Sequence, residues 1–191
     1  MSTSEKSGYH HGDLRAALLT TAMQMLEAGE SFSLRAVARG AGVSATAPYR
    51  HFADRDALES ALAGEGFRDL RADLVGDGEL PASLDDLAEF GVAYVSFALR
   101  RPALFRLMFG TPCDDENDER VRAAAALNDL LAQALAQVAP GADAGALADA
   151  GWGLAHGLAC LYLDGKLVAG SSGEVEARVR AAFAAVTANA G

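Results

Sequence analysis

Apolar residues recur three and four positions apart along almost the whole chain, the spacing that forms one face of an α-helix. The strict alternation of apolar and polar residues that is typical of β-strands is absent, as are hairpin turn signals. The pattern therefore predicts an all-α protein of about nine helices. The predicted ranges are about 13–28, 33–41, 42–52, 54–74, 83–101, 102–110, 118–138, 144–164 and 174–189.

Residues suited to helix ends stand at the boundaries of these ranges. Gly29, Gly42 and Gly165 follow apolar stretches, where a left-handed residue commonly ends a helix. Ser33 and Ser83 precede such stretches, where a serine hydroxyl accepts a hydrogen bond from a free backbone N–H group. These signals support the helical pattern and predict short loops between the helices.

Residues 33–52 have the form of a helix, a short turn and a second helix, which is typical of the helix-turn-helix motif. Ser44 is predicted to cap the second helix. Pro48 follows four residues later, and it lacks a backbone N–H and disfavours the helical region at Ala47. The four-residue spacing of Pro48 and Phe52 predicts that both point inward. We therefore interpret Pro48 as an apolar inward residue near the start of a short helix.

The outward residues of this motif have the chemistry of a DNA-binding surface. Serines at helix starts favour a phosphate, as do arginine, a tyrosine hydroxyl and a histidine nitrogen. Small methyl-bearing side chains can contact thymine, and Arg50 could pair with guanine or with phosphate. An ordinary helical corner without a DNA role is the alternative. The predicted DNA-contacting residues are Ser33, Arg35, Ser44, Ala45, Thr46, Ala47, Tyr49, Arg50, His51 and Arg55.

Charge is distributed unevenly along the chain. The net charge is −10, which argues against non-specific nucleic-acid binding by the whole molecule. Residues 1–55 carry six basic and five acidic side chains, whereas residues 56–191 carry ten and twenty-one. A local positive face in the N-terminal third is therefore possible beside an acidic body.

Aromatic side chains cluster in the predicted helices after residue 83. Such a cluster is either plain core or the wall of a ligand pocket. Trp152 and His156 lie four residues apart and share a helix face. They are either a wall and a polar group of that pocket, or packing residues with His156 bonded to a backbone carbonyl. The predicted ligand-binding residues are Phe90, Tyr94, Phe97, Phe105, Met108, Phe109, Trp152 and His156.

An enzyme is the rival class, with Cys160 as nucleophile and His156 as base one helical turn away. No third residue that would orient the base is apparent, so we predict no catalytic residues. Cys113 and Cys160 are too few for a closed zinc site and are predicted to be free thiols. We expect no metal at His10 and His11 or at the acidic residues of 114–119, and no cofactor.

The sequence lacks an apolar run long enough for a membrane span, and its first fifteen residues lack an apolar signal core. We therefore expect a cytoplasmic protein that makes no contact with a membrane and that lies at the nucleoid when bound to DNA.

Two stretches of sequence carry a resemblance to a known family. YHHGDLRAALLTTA and SLRAVARGAGVSATAPYRHFADRDAL resemble the N-terminal domain of the tetracycline-repressor (TetR) family of transcriptional regulators. WGLAHG at 152–157 and RPALFRLMF at 101–109 resemble the tryptophan-histidine-glycine (WHG) type of C-terminal domain found in one branch of that family. Arg55 stands where lysine is usual, and Pro48 stands where a larger aliphatic residue is common.

The resemblance implies an N-terminal three-helix helix-turn-helix domain over residues 1–55. It implies a six-helix ligand-binding and dimerisation domain over residues 56–191. The homodimer would form through the last two helices. The protein would be a repressor that an unknown small hydrophobic or aromatic molecule releases from an inverted-repeat, double-stranded DNA operator. A dimeric DNA-binding regulator without such a ligand, or an activator, is the alternative.

Overall fold

The computed structural model of the chain describes residues 11–76, 81, 83–110, 118–140 and 143–187. These residues form eight α-helices and one 3-10 helix, with no strand among them, which confirms the all-α prediction. The α-helices are α1 (His11–Glu27), α2 (Leu34–Gly40), α3 (Arg55–Val75), α4 (Leu84–Arg100), α5 (Pro102–Phe109), α6 (Glu119–Val138), α7 (Ala144–Leu163) and α8 (Ser172–Thr187).

The predicted helix ends are confirmed by backbone geometry. Gly29, Gly42 and Gly165 all have φ between 65° and 71°, in the left-handed region that suits glycine. The Ser33 hydroxyl accepts a hydrogen bond of 3.2 Å from the backbone N–H of Ala36 at the start of α2. Ser83 caps α4 in the same way. The helix boundaries at these five residues therefore follow from local chemistry that the sequence shows.

The helix predicted over 42–52 is wrong as an α-helix, because only a 3-10 helix forms there, at Pro48–Arg50. Pro48 has no N–H to bond the carbonyl of Ser44, so the chain uses three-residue bonds instead. These join Ala47 to Ser44 at 3.0 Å and Arg50 to Ala47 at 3.2 Å. The expected departure of Ala47 from the helical region is also wrong, since its φ is −60° and its ψ −42°.

The chain forms two compact units, Met1–Leu62 and Ala63–Gly191, and the boundary lies inside α3. The core of the first unit contains apolar side chains of α1, α2 and the start of α3, together with Pro48 and Phe52. Two arginines cover its aromatic rings, with Arg15 5.6 Å from the Phe52 centroid and Arg55 5.5 Å from the Phe32 centroid.

The second unit is built around α4, which packs against α7, α8 and α5. Gly91 of α4 allows α8 to pack closely, because a Cβ at this position would lie 2.3 Å from the Phe183 ring of α8. Three arginines form ion pairs between the second half of α3 and other elements of this unit. They are Arg68 with Glu119, Arg100 with Asp73, and Arg101 with Asp69. The second half of α3 is therefore held by ion pairs to other elements of its own unit.

Candidate DNA-binding face and ligand cavity

The residues around the 3-10 helix divide into a buried and an exposed set. Pro48 and Phe52 are buried in the core of the first unit, as predicted from their spacing. The exposed set contains Ser44, Ala45, Thr46, Tyr49 and Arg50, all of which were predicted to contact DNA. We call this set the DNA-binding face after that prediction. Tyr49 is 50% exposed, so its ring and hydroxyl are accessible at the surface of the first unit. The face thus consists of small side chains followed by an aromatic and a basic one.

Of the two serines predicted to lie at helix starts in the motif, only Ser33 caps an α-helix. Ser33 is exposed and caps α2, so its backbone surroundings are those of a helix N-terminus. Ser44 caps no α-helix, since its hydroxyl lies 3.3 Å from the Thr46 hydroxyl. The prediction of a helix N-terminus at Ser44 is therefore wrong for the same reason as the third helix. Its hydroxyl nevertheless remains on the exposed side.

The basic residues of the motif are not equivalent. Arg35 and Arg50 are exposed and form no ion pair within the described part of the chain. Arg55 is also exposed, but its Nε donates a 2.7 Å hydrogen bond to Glu59. A phosphate would have to compete with this carboxylate for Arg55. Of the three arginines predicted to contact DNA, only Arg35 and Arg50 are therefore free of an ion pair within the described residues.

His51 and Ala47 are only partly exposed. The Nε2 atom of His51 is buried and has no hydrogen-bond partner among the described residues. A phosphate contact from His51 would therefore have to come from Nδ1.

The second unit encloses a cavity of about 420 Å³, within the usual size range of small-molecule sites. Five of the eight predicted ligand-binding residues line it, and Phe97, Phe105 and His156 do not. Apolar side chains dominate the wall. The lining residues are Phe67, Leu74, Leu87, Phe90, Gly91, Tyr94, Met108, Phe109, Ala124, Leu127, Asn128, Leu131, Leu135, Leu147, Ala150, Gly151, Trp152, Leu154, Ala155, Phe183 and Val186.

The three residues missing from the wall belong to the packing behind it. Phe97 is 1% exposed and is part of the core. The Phe105 and His156 rings stack, with centroids 5.4 Å apart and an angle of 28°. His156 also meets the Phe109 ring edge-on at 4.8 Å. His156 thus packs against Phe105 and Phe109, and of these three residues only Phe109 lines the cavity.

A chain of hydrogen bonds links Trp152, Tyr94 and His156, which we call the polar trio. The indole N–H of Trp152 donates to the Tyr94 hydroxyl at 3.2 Å, and this hydroxyl lies 2.9 Å from Nδ1 of His156. One of the two interpretations of His156 had it bonded to a backbone carbonyl, whereas its Nδ1 is bonded to the Tyr94 side chain. Because the hydroxyl already accepts from Trp152, its own proton is best placed to go to His156.

Burial governs the ionisation of the polar trio. It raises the pKa of Tyr94 well above the usual range of tyrosine, although the bond from Trp152 acts in the opposite direction. Burial also lowers the pKa of His156. Both side chains are therefore neutral near pH 7, in agreement with a proton shared from Tyr94 to Nδ1.

The lining residues that come from α3, α6 and α8 were not among the ligand-binding residues predicted from the sequence. On α6 the lining residues follow helical spacing from Ala124 through Leu127 and Leu131 to Leu135. That stripe is visible in the sequence, but a stripe facing a cavity looks the same as a stripe facing a packed core. Asn128 interrupts this apolar stripe with a polar side chain. That interruption was the one feature of the sequence that could have indicated a cavity beside α6.

Other predicted features lie partly beyond the described residues. His10, Cys113 and residues 114–117 lie outside them, as does the side chain of His11. Asp118 caps α6, and Cys160 is a partly buried free thiol. No cluster of three or more His, Cys, Asp or Glu suited to a metal ion occurs within the described ranges. None of the helices that the structure describes is long and apolar enough to cross a membrane.

The sequence is similar to a known family of regulatory domains and to known regulators. A family model described as the tetracyclin repressor-like C-terminal domain matches residues 87–186, more than half of the chain. An HTH-type transcriptional regulator of Mycobacterium tuberculosis is 33% identical over 97 residues, covering 47% of this chain and 40% of that regulator. The match thus spans less than half the length of that relative.

Solved structures resemble the chain over nearly its full length. A protein of unknown function from Rhodococcus sp. RHA1 is 36% identical, with a TM-score of 0.75, covering 93% of this chain and 97% of that one. A TetR/AcrR-family regulator from Thermobifida fusca is 17% identical, with a TM-score of 0.64, covering 90% and 96%, and it shares the fold. The matched domain and the all-helical fold lead to one conclusion: the chain belongs to the TetR family of transcriptional regulators.

Proposed function

We propose that this regulator is a homodimeric repressor, which a small hydrophobic or aromatic effector releases from an inverted-repeat DNA operator. The observation that carries the proposal is the presence, in one chain, of an exposed DNA-binding face and an apolar cavity. The face includes Tyr49 and Arg50, and the cavity has the size of a small-molecule site. The protein acts in the cytoplasm, at the nucleoid when it is bound to DNA.

The DNA-binding face supports reading of the major groove. Ala45 and Thr46 are small enough to let the backbone approach the bases, and their methyl groups suit thymine. Tyr49 and Arg35 supply contacts to phosphate, which position the protein. Arg50 supplies a contact to guanine or to phosphate. Pro48 and Phe52 anchor this short segment from below, because both are buried.

Exposed apolar side chains support a homodimer through the last two helices. Trp152 and Leu161 on α7 are 39% and 43% exposed, and Val186 on α8 is also largely exposed. Large apolar groups at the surface of one chain favour association. In a two-fold dimer the two DNA-binding faces would read half-sites about 34 Å apart, one turn of DNA.

The helix α3 provides a route from the cavity to the DNA-binding unit. Its first two turns belong to the first unit, and Phe67 and Leu74 from its second half line the cavity. Phe67 meets Phe109 edge-on at 5.2 Å. An effector that displaces Phe67 would shift α3 and change the separation of the two faces. The effector then lowers operator affinity by its own preference for the shifted state.

The first experiment is selection of bound DNA from a random duplex pool by the purified protein at physiological salt. Enrichment of an inverted repeat supports the dimeric regulator and provides the probe for an effector screen. A folded dimer that enriches no sequence argues against the DNA-binding face as assigned. An activator, or a regulator without an effector, predicts operator binding that no compound in the screen weakens.

A further inference from the structure

The walls of the cavity contain no charged side chain among the described residues that line it. Three lining residues carry polar side-chain groups, namely Tyr94, Asn128 and Trp152. On this basis we propose that the cavity selects an uncharged effector with one hydrogen-bonding group, and that it rejects carboxylates and ammonium ions of the same shape. This inference rests on the proposed function, because it names the chemical class of the effector of that same cavity.

A buried carboxylate would find no cation in the wall to offset its loss of hydration. The ten basic residues of 56–191 all lie outside the described lining. Six of them are already engaged in ion pairs, namely Arg68, Arg100, Arg101, Arg106, Arg120 and Arg180. Removing an ion from water costs several kcal/mol unless a partner and hydrogen bonds compensate. An anionic effector would therefore bind much more weakly than its neutral counterpart.

The segments of 56–191 outside the described residues do not change this balance. Residues 77–80, 82, 111–117, 141–142 and 188–191 contain no lysine, arginine or histidine in the sequence, and their ionisable side chains, apart from Cys113, are all acidic. Any charge that these segments bring near a bound molecule is negative. It would oppose a carboxylate.

Arg120 is a basic residue close in sequence to the cavity wall, because it lies one helical turn before the lining residue Ala124 on α6. Its side chain is buried and is paired with Asp118 at 3.4 Å. Asp118 also caps α6 through the backbone N–H of Arg120. Asp118 thus balances the charge of the guanidinium, and Arg120 is not among the described residues that line the cavity. The pair therefore leaves the cavity without an available cation.

A cationic effector is disfavoured because burying its charge costs more free energy than its contacts with aromatic rings return. Aromatic faces in the wall, such as those of Phe109 and Trp152, attract a cation by about 0.5–2 kcal/mol each. The effective cost of burying an ammonium ion is several kcal/mol, and the described lining contains no carboxylate to lower it. The aromatic faces that one ammonium group can contact therefore offset only part of its lost hydration, and no lining carboxylate supplies the rest.

Asn128 is the polar group best placed to orient a neutral effector. The Trp152 N–H and the Tyr94 hydroxyl already bond each other, and Tyr94 bonds His156 as well. The Asn128 amide both donates and accepts, and this exposed side chain lines the cavity. One alcohol, amide or ketone group on an otherwise apolar molecule matches this arrangement.

The test uses three probes of one shape: 5-phenylpentanol, 5-phenylpentanoate and 5-phenylpentylammonium. Trp152 is the single tryptophan of the chain and lines the cavity, so its fluorescence reports binding without DNA. At pH 7.5 we expect the alcohol to bind at least tenfold more tightly than either ion. Equal or tighter binding of either ion, or no binding of any probe, overturns the proposal.

A single variant should reverse the preference of the cavity for the neutral probe over the carboxylate. Leu131 lines the cavity and is only partly buried, so Leu131→Lys places a cation in the wall with room for its ammonium group to reach water. We expect the carboxylate to gain affinity and the alcohol to lose it in the folded variant. An unchanged order of the probes contradicts the role assigned to charge. Operator selection by the wild-type protein is independent of these titrations, so a failure of DNA binding is recognised separately.

Discussion

The Tyr94 hydroxyl joins two helices, because it lies 2.9 Å from Nδ1 of His156 on α7 while Tyr94 itself belongs to α4. It also accepts the indole N–H of Trp152. Tyr94 and Trp152 both line the cavity, so the same bonds that hold α4 to α7 also fix two groups of its wall. The polar trio thus contributes to the fold and to the shape of the site together.

Tyr94→Phe should lower the free energy of unfolding by about 1–3 kcal/mol. The substitution keeps the ring but leaves Nδ1 of His156 and the indole N–H of Trp152 without their partner, in a partly buried place. Urea denaturation measures the change. Tyr162→Phe is the matched control, because the Tyr162 hydroxyl makes no hydrogen bond within the described residues. Equal effects of the two substitutions would contradict the importance of the trio.

Lowering the pH should destabilise the protein through His156. Burial lowers the pKa of His156 in the folded chain, whereas the unfolded chain has the ordinary value of about 6.5. Between these two values the unfolded chain binds more protons. The stability associated with neutral His156 is therefore complete above about pH 6.5 and is lost as the pH falls through the folded value.

The measurement is urea denaturation at several pH values between 7.5 and 5.5 for the wild type and His156→Asn. Asparagine keeps a polar atom close to the position of Nδ1 but does not titrate in this range. The other three histidines are the same in both proteins, so the difference in slope isolates His156. We expect the wild type to lose more stability on acidification, and parallel curves would rule out this role.

Gly91→Ala should destabilise the second unit by about 1–3 kcal/mol through overpacking. The added Cβ would lie 2.3 Å from Cε2 of Phe183, and that ring is buried between α4 and α8. Gly173→Ala is the control, since a Cβ added there, in the first turn of α8, would meet no side chain or neighbouring element within 4 Å. The control should be neutral or gain up to about 1 kcal/mol. Thermal or urea unfolding compares the two, and a harmless Gly91→Ala would mean that Phe183 can move away.

Helix positions followed from the sequence because their signals are local. Apolar spacing, the Ser33 cap and the left-handed Gly42 act within a few residues and gave nearly correct bounds for α2. The segment after Gly42 differed because two local rules conflict at Pro48. Its place four residues before Phe52 favours a helix, whereas its missing N–H removes the bond to Ser44. The predicted inward orientation of Pro48 and Phe52 was correct, but the segment forms a 3-10 helix and not the predicted α-helix.

The cavity was only partly predictable, because its wall depends on which side chains fail to fill a space. Phe97 and Phe109 look alike in the sequence, yet Phe97 is fully buried and Phe109 lines the cavity. The bond between Tyr94 and His156 spans 62 positions and leaves no local signal. Long-range packing of this kind requires the folded structure.

Tyr49→Ala should weaken operator binding about tenfold or more without changing the free energy of unfolding. The side chain is 50% exposed, so its loss removes little packing, whereas a hydroxyl bonded to a charged phosphate contributes about 1.5–3 kcal/mol. Binding to the selected operator measures the effect, and urea denaturation checks the fold. Val168→Ala serves as the control, since Val168 is 85% exposed and lies in the other unit. An unchanged operator affinity for Tyr49→Ala would show that the face is wrongly assigned.

Arg50→Ala should separate the two contacts open to this arginine. If Arg50 binds phosphate, all operator sequences should lose affinity alike, and the slope of log affinity against log salt should fall by about 1. If Arg50 pairs with guanine, preference at one position of each half-site should relax, at a cost of about 1–3 kcal/mol for the correct base. Arg50 is exposed beside Tyr49 at the end of the 3-10 helix and forms no ion pair in the described part of the chain. Its loss should therefore leave the fold intact, and an Arg50→Ala protein with unaltered affinity, salt dependence and sequence preference would remove Arg50 from the DNA-binding face.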